Sequence, residues 1–181
     1  MTSAAPLPEI PYQDDTRLVA ALGAQGVRHL SVAEPGSPYA TIDVTTLITR
    51  LADQADPRLR EALIPLFLLH PDLAEQVPEL DQRLQPPAAD ALRHLYTAAV
   101  YLQRLWLSTL RMHLGSFALL TDHFGQTYYH LPAPDVKFGE TGLRALAALY
   151  EGKTGFDWLS VYESTMTLFL QQLSLEQNHH G

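Results

Sequence analysis

Residues 88–114, AADALRHLYTAAVYLQRLWLSTLRMHL, decide the fold, because they run without a glycine or a proline and are rich in helix formers. At about 100° per residue, Arg93, Thr97, Arg104, Ser108 and Arg111 fall in one narrow sector. Leu92, Leu95, Ala99, Leu102, Leu105, Trp106 and Leu110 occupy the rest of the circumference. So wide an apolar surface must meet neighbours on several sides, which predicts a long central helix with others packed around it. Gly115 is placed to end it.

The flanking sequence repeats the helical period. Val44, Leu47, Ile48, Leu51 and Ala52 share one face, with Thr41 or Asp43 as cap. Asp56-Pro57 reads as a cap and first-turn proline, opening a helix toward Leu69 that Pro65 either kinks or splits into two pieces. Glu140 to Tyr150 predicts a further helix, with Gly152 in the terminating position. Asp157 can cap the last one, where Leu159, Tyr162, Met166, Phe169 and Leu173 recur at helical spacing against the central helix. The expectation is an all-α, irregular multi-helix bundle, with a minor β-hairpin near residues 27–42. Residues 1–13 read as a disordered arm, with Pro6, Pro8 and Pro11 among small and polar residues. Residues 14–176 read as one helical domain, with a smaller layer over 14–85 and the main bundle over 87–176, and 177–181 as a flexible tail.

Composition narrows the function classes. The 181 residues carry no cysteine, which removes disulfides, thiolate nucleophiles and Cys-based metal sites. A formal charge of −8 disfavours nucleic acid, and Arg58 and Arg60 are too few basic residues to make a helix-turn-helix of the Asp56 helix. Arg93, Gln103, Arg104 and Arg111 interrupt the longest apolar stretch, so membrane insertion is not expected. The first residues lack the basic start and apolar run of a secretory signal, which reads as cytoplasmic.

Gly152-Lys153-Thr154 has the ending of a phosphate-binding loop, but the earlier glycine that motif requires would fall at Ala147, inside a helix. His113, Asp122, His123 and His130 are of metal-ligating types, yet their spacing matches no standard site, and no cofactor is predicted. Arg93, Arg104 and Arg111 could bind an anion through their guanidinium forks, or pair with carboxylates of neighbouring helices. Asp122 to Gly139 reads as a long loop, and Phe124, Tyr128, Tyr129 and His130 in it are the leading binding candidates, since long loops in compact domains are often binding elements.

Two readings result. The first is a non-enzymatic interaction or regulatory protein that docks a protein partner, or a second copy of itself, through this aromatic loop. The alternative is a small helical enzyme or ligand- or metal-binding protein with a site near 122–139, gathering His113, His123, His130, Tyr128 and the arginine stripe.

Overall fold

The computed structural model describes residues 11–30 and 42–179. The architecture is all-α, and no strand occurs among the described residues. Of the hairpin expected near 27–42, Val27 to Leu30 forms a turn after Gly26 (φ 91°) instead of a strand, and 31–41 lie outside the described residues. Of the arm expected over 1–13, residues 11–13 already belong to the first helix, and 1–10 lie outside the description.

In chain order the helices are α1 (Pro11–Ala24), α2 (Val44–Ala52), α3 (Pro57–Glu61), α4 (Leu63–Leu69), α5 (Val77–Arg83), α6 (Pro86–Leu105), α7 (Leu107–Leu114), α8 (Glu140–Thr154) and α9 (Trp158–His179). Asp43 caps α2, its carboxylate accepting from the amides of Thr45 and Thr46. Asp56 does the same for α3 through Arg58 N, with Pro57 at the first position, where no donor is needed. The Pro65 question resolves as two short helices hinged at Ala62. Pro65 takes the third position of α4, where a missing N–H leaves no helical bond unmade.

The central element is also split. Residues 88–114 are not one rod: Trp106 leaves helical geometry (φ −104°, ψ 18°) and separates α6 from α7. Gly152 does not end α8, which continues to Thr154 and stops at Gly155, whose φ of 76° supplies the left-handed turn. The last helix continues to His179, beyond the start of the tail expected at 177.

A single apolar core runs from Leu18 on α1 to Leu173 on α9. α6 lies at its centre, against α2, α3, α4, α5 and α8, while α9 packs on α4, α7 and α8. Between α7 and α8, residues 115–135 cross the polar sector of α6 without regular structure. They are tied there by side chains of the helix beneath. Gln103 accepts from Leu120 N at 2.7 Å and donates to Ala118 O at 3.1 Å. Tyr96 OH donates to Thr121 O (2.6 Å), Arg104 Nη2 to Leu120 O (2.9 Å) and Tyr101 OH to Pro132 O (2.5 Å). The polar residues of α6 are thus the means of covering the helix on that side, because an irregular segment laid on a core needs side-chain partners for its backbone groups.

Candidate functional site

The residues singled out in the sequence separate on folding. Within the 115–135 segment Phe124 and Tyr129 are buried, whereas Tyr128 and His130 are exposed. Arg93 lies over the Tyr128 ring at 4.7 Å, donates to its hydroxyl at 2.9 Å and pairs through Nε with Asp81 at 2.7 Å. Arg104 serves the Leu120 carbonyl, which leaves only Arg111 of the arginine stripe well exposed.

The possible metal ligands are likewise dispersed. His123 Nε2 donates to Ala74 O (2.8 Å), and His113 Nδ1 pairs with Gln177 Oε1 (3.0 Å). Asp122 turns back on the amides of Gly125 and Gln126. Among the described residues, no group of three His, Cys, Asp or Glu is arranged to hold a metal ion. Gly152-Lys153-Thr154 forms the last turn of α8, with no phosphate cradle.

The densest chemistry lies elsewhere, in a cleft of about 120 Å³ where α3, α6, α8 and α9 meet. Pro87, Asp90, Ala91 and His94 come from one face of α6, at the three- and four-residue steps that align side chains along a helix. α3 supplies Arg60 and Glu61, α8 supplies Tyr150 and Thr154, and α9 supplies Trp158.

The floor is aromatic. His94, 3% exposed, stacks on Tyr150 with ring centroids 3.5 Å apart and planes 5° from parallel. Trp158 meets the imidazole edge-on at 4.4 Å. His94 Nε2 pairs with Tyr162 OH at 2.6 Å, so Nδ1 is the ring nitrogen left for the cleft. Trp158 Nε1 donates to Thr154 Oγ1 (2.9 Å), which in turn donates to Tyr150 O (2.7 Å), locking the indole to the end of α8.

Charge surrounds this floor. Tyr150 OH donates to Asp90 Oδ1 at 2.8 Å and therefore accepts from Tyr129 OH at 2.7 Å. Lys153 Nζ sits 4.8 Å from the centre of the Tyr150 ring and 3.9 Å from Asp90. On the α3 side Glu61 stands beside Arg60. Burial raises the Glu61 carboxyl above its ordinary value, against the opposing pull of Arg60.

Burial also lowers His94 to about 3, assisted by the positive charges of Lys153 and Arg60, so the imidazole is neutral at physiological pH. Burial raises Tyr150 well above the ordinary phenol value, with Tyr129 and Asp90 adding to the effect. Neither group exchanges a proton near neutrality. The floor is therefore uncharged near neutrality, and the charges around it come as one acid and one base on each side.

Sequence reading passed over this cleft. It places Tyr150 on the apolar side of its helix and gives His94 no role, although Asp90 and His94 stand four residues apart on the central helix. That Asp–His pair at helical spacing is the available signal. Glu61 and Trp158 carried none, since nothing in the sequence places α3 beside the start of α9. The chain matches no protein-family model, no curated protein sequence and no solved structure.

Proposed function

We propose that the protein is a non-catalytic binding protein whose cleft takes a small zwitterion, a molecule with one ammonium and one carboxylate on a short frame, as in a small α-amino acid. The observation that carries this reading is the charge pattern at the cleft, which Arg60, Glu61 and Asp90 line and beside which Lys153 stands 3.9 Å from Asp90. Glu61 with Arg60 on one side and Asp90 with Lys153 on the other flank a neutral floor of His94, Tyr150 and Trp158. A ligand of one sign meets a like charge as well as an opposite one on each side, whereas a zwitterion can turn its ammonium to a carboxylate and its carboxylate to a cation.

Size agrees with this class. The volume of about 120 Å³ is below that of the engineered cavity of about 150 Å³ that accommodates benzene, which limits the enclosed part of a ligand to roughly five or six non-hydrogen atoms. Binding is favoured over catalysis because acid–base catalysis wants pKa values near the working pH, and both His94 and Tyr150 are pushed away from it.

The test uses the indole N–H resonance of Trp158, assigned by its loss in Trp158→Phe. Titration with alanine, serine and proline is expected to shift that resonance saturably. Ethylamine and propionate, each carrying one of the two charges, should bind at least about tenfold more weakly, one lost charged contact being worth roughly 1.5 kcal/mol or more. Glu61→Gln should weaken the zwitterions by a similar factor. Absence of any saturable shift with the common α-amino acids at 10 mM would sink the reading.

A further inference from the structure

Building on the zwitterion reading and resting on it, we propose that the ligand lies carboxylate inward: its carboxylate accepts from the Nδ1–H of His94, a donor fixed by Tyr162, and its ammonium meets Glu61.

An imidazole can offer a cleft either a donor or an acceptor, and the position of its one proton decides which. His94 lines the cleft with its ring almost wholly buried, Nε2 lies 2.6 Å from Tyr162 OH, and Nδ1 has no partner among the described residues. Tyr162 fixes the tautomer. It is fully buried, and burial holds its hydroxyl well above the ordinary phenol value, so the hydroxyl keeps its proton. Among the described residues that proton has one acceptor, Nε2 of His94. Were Nε2 protonated instead, two hydrogens would contend for one contact and the phenol would be a buried donor without an acceptor, an arrangement that a protein interior penalises. The ring is neutral, so its single proton sits on Nδ1 and points a donor at the cleft.

The field at that donor suits an anion. The charges that act on the His94 imidazole are those of Lys153 and Arg60, both positive. Asp90, four residues earlier on the same face of α6, is already engaged, since it accepts from Tyr150 OH at 2.8 Å and stands 3.9 Å from Lys153. A neutral N–H donor under two positive charges is a place for a carboxylate.

Glu61 is the complementary end. It lines the cleft half-buried, and among the described residues neither a hydrogen bond nor an ion pair engages its carboxylate. The charges of Arg60 and Asp56 act on it with opposite signs, and the loss of water outweighs both. A carboxylate that has given up water without gaining a donor is satisfied by a cation that brings one. His94 lies in the floor and Glu61 is the more exposed of the two, so the carboxylate is the inner end of the ligand. Tyr162 touches no ligand and acts as a positioning residue.

The test combines long-range proton–nitrogen correlation NMR of the His94 ring with titrations followed on the Trp158 indole resonance. In the unliganded wild type the ring hydrogen is expected on Nδ1, and alanine and propionate, but not ethylamine, should shift that nitrogen. Tyr162→Phe, with circular dichroism unchanged, releases the tautomer. It should weaken alanine and propionate about tenfold and ethylamine less than about twofold. Glu61→Gln should show the crossed pattern, weakening alanine and ethylamine about tenfold and propionate less than about twofold. A ring hydrogen on Nε2 in the wild type overturns the inference and needs neither a variant nor a ligand. So does an equal loss of all three ligands in Tyr162→Phe, which is what damaged packing would give. Absence of saturable binding by any α-amino acid overturns the zwitterion reading and the orientation with it, whereas alanine that binds without the crossed pattern overturns the orientation alone.

Discussion

Acidification should destabilise the protein by an amount traceable to one side chain. His94 is neutral in the fold with its pKa lowered to about 3, against 6.5 for an ordinary imidazole. Below 6.5 the unfolded chain takes up a proton at this position that the folded chain refuses. The stability His94 confers by staying neutral is therefore complete above about pH 6.5 and is lost progressively as pH falls toward 3. At pH 5 the unfolded form has gained 1.5 pH units of protonation free energy and the folded form almost none. At about 1.36 kcal/mol per unit this is a loss of about 2 kcal/mol relative to pH 8. Urea denaturation at the two pH values reads it as a midpoint shift of about 1 M, taking a slope near 2 kcal/mol/M. Burial lowers His29 as well, which adds in the same direction, whereas the raised Glu61 carboxyl favours the fold on acidification and acts against it. The measured quantity is therefore the difference between wild type and His94→Phe. The variant should be less stable at pH 8 by about 1–3 kcal/mol, because Tyr162 OH loses its partner, but it should lose about 2 kcal/mol less on going to pH 5. Parallel pH profiles for the two proteins would refute the reasoning, as would a His94 ring resonance that titrates near pH 6.

Three further outcomes test the packing around α6. Gly142→Ala places a methyl group on the Tyr101 ring at Cε1, in a core with no room to shift, and should cost about 3 kcal/mol in denaturant titrations. Gln103→Leu removes both side-chain contacts to Ala118 and Leu120 while preserving volume. It should cost about 3 kcal/mol and speed amide exchange at Leu120 and its neighbours, with little change in α8. Phe138, 77% exposed at φ 56°, holds a left-handed conformation that a side chain disfavours, so Phe138→Gly should raise the thermal midpoint by the equivalent of about 1 kcal/mol.

The legible part of the fold was what local chemistry fixes. Asp43 and Asp56 precede helical runs, and the side chain of each is found on the amides it was expected to cap. The buried face of α9 is the predicted series through Tyr162, Met166, Phe169 and Leu173. Errors arose where local signals compete or where a long-range neighbour decides. Gly152 and Gly155 both look like helix ends. Gly152 stays helical because an interior glycine costs only about 1 kcal/mol, while the left-handed turn falls at Gly155. A helical wheel likewise places Arg93, Thr97 and Arg104 together, but it cannot tell whether that sector faces water. Here it faces the 115–135 segment, and Thr97 is fully buried. The cleft was harder still, since Glu61, His94, Tyr150 and Trp158 belong to four helices whose mutual placement no local pattern encodes.

The aromatic segment drew notice in the sequence as a possible binding loop, and its position gives it a part in the site by another route. Arg93, anchored to Asp81, covers Tyr128; Tyr128 meets Tyr129 edge-on at 4.9 Å; and Tyr129 donates to the hydroxyl of Tyr150. Tyr150 then passes its own proton toward Asp90 and offers its ring to His94. The segment thus fixes the donor direction of a hydroxyl in the cleft wall without lining the cleft itself. Because the Tyr129 and Tyr150 hydroxyls each have an acceptor, their hydrogen bonds support one another in a buried setting where an unpaired group would be costly. On the proposed reading, a floor held by these bonds would lose little freedom when a ligand arrives, which would let so small a cleft discriminate between ligands by charge placement.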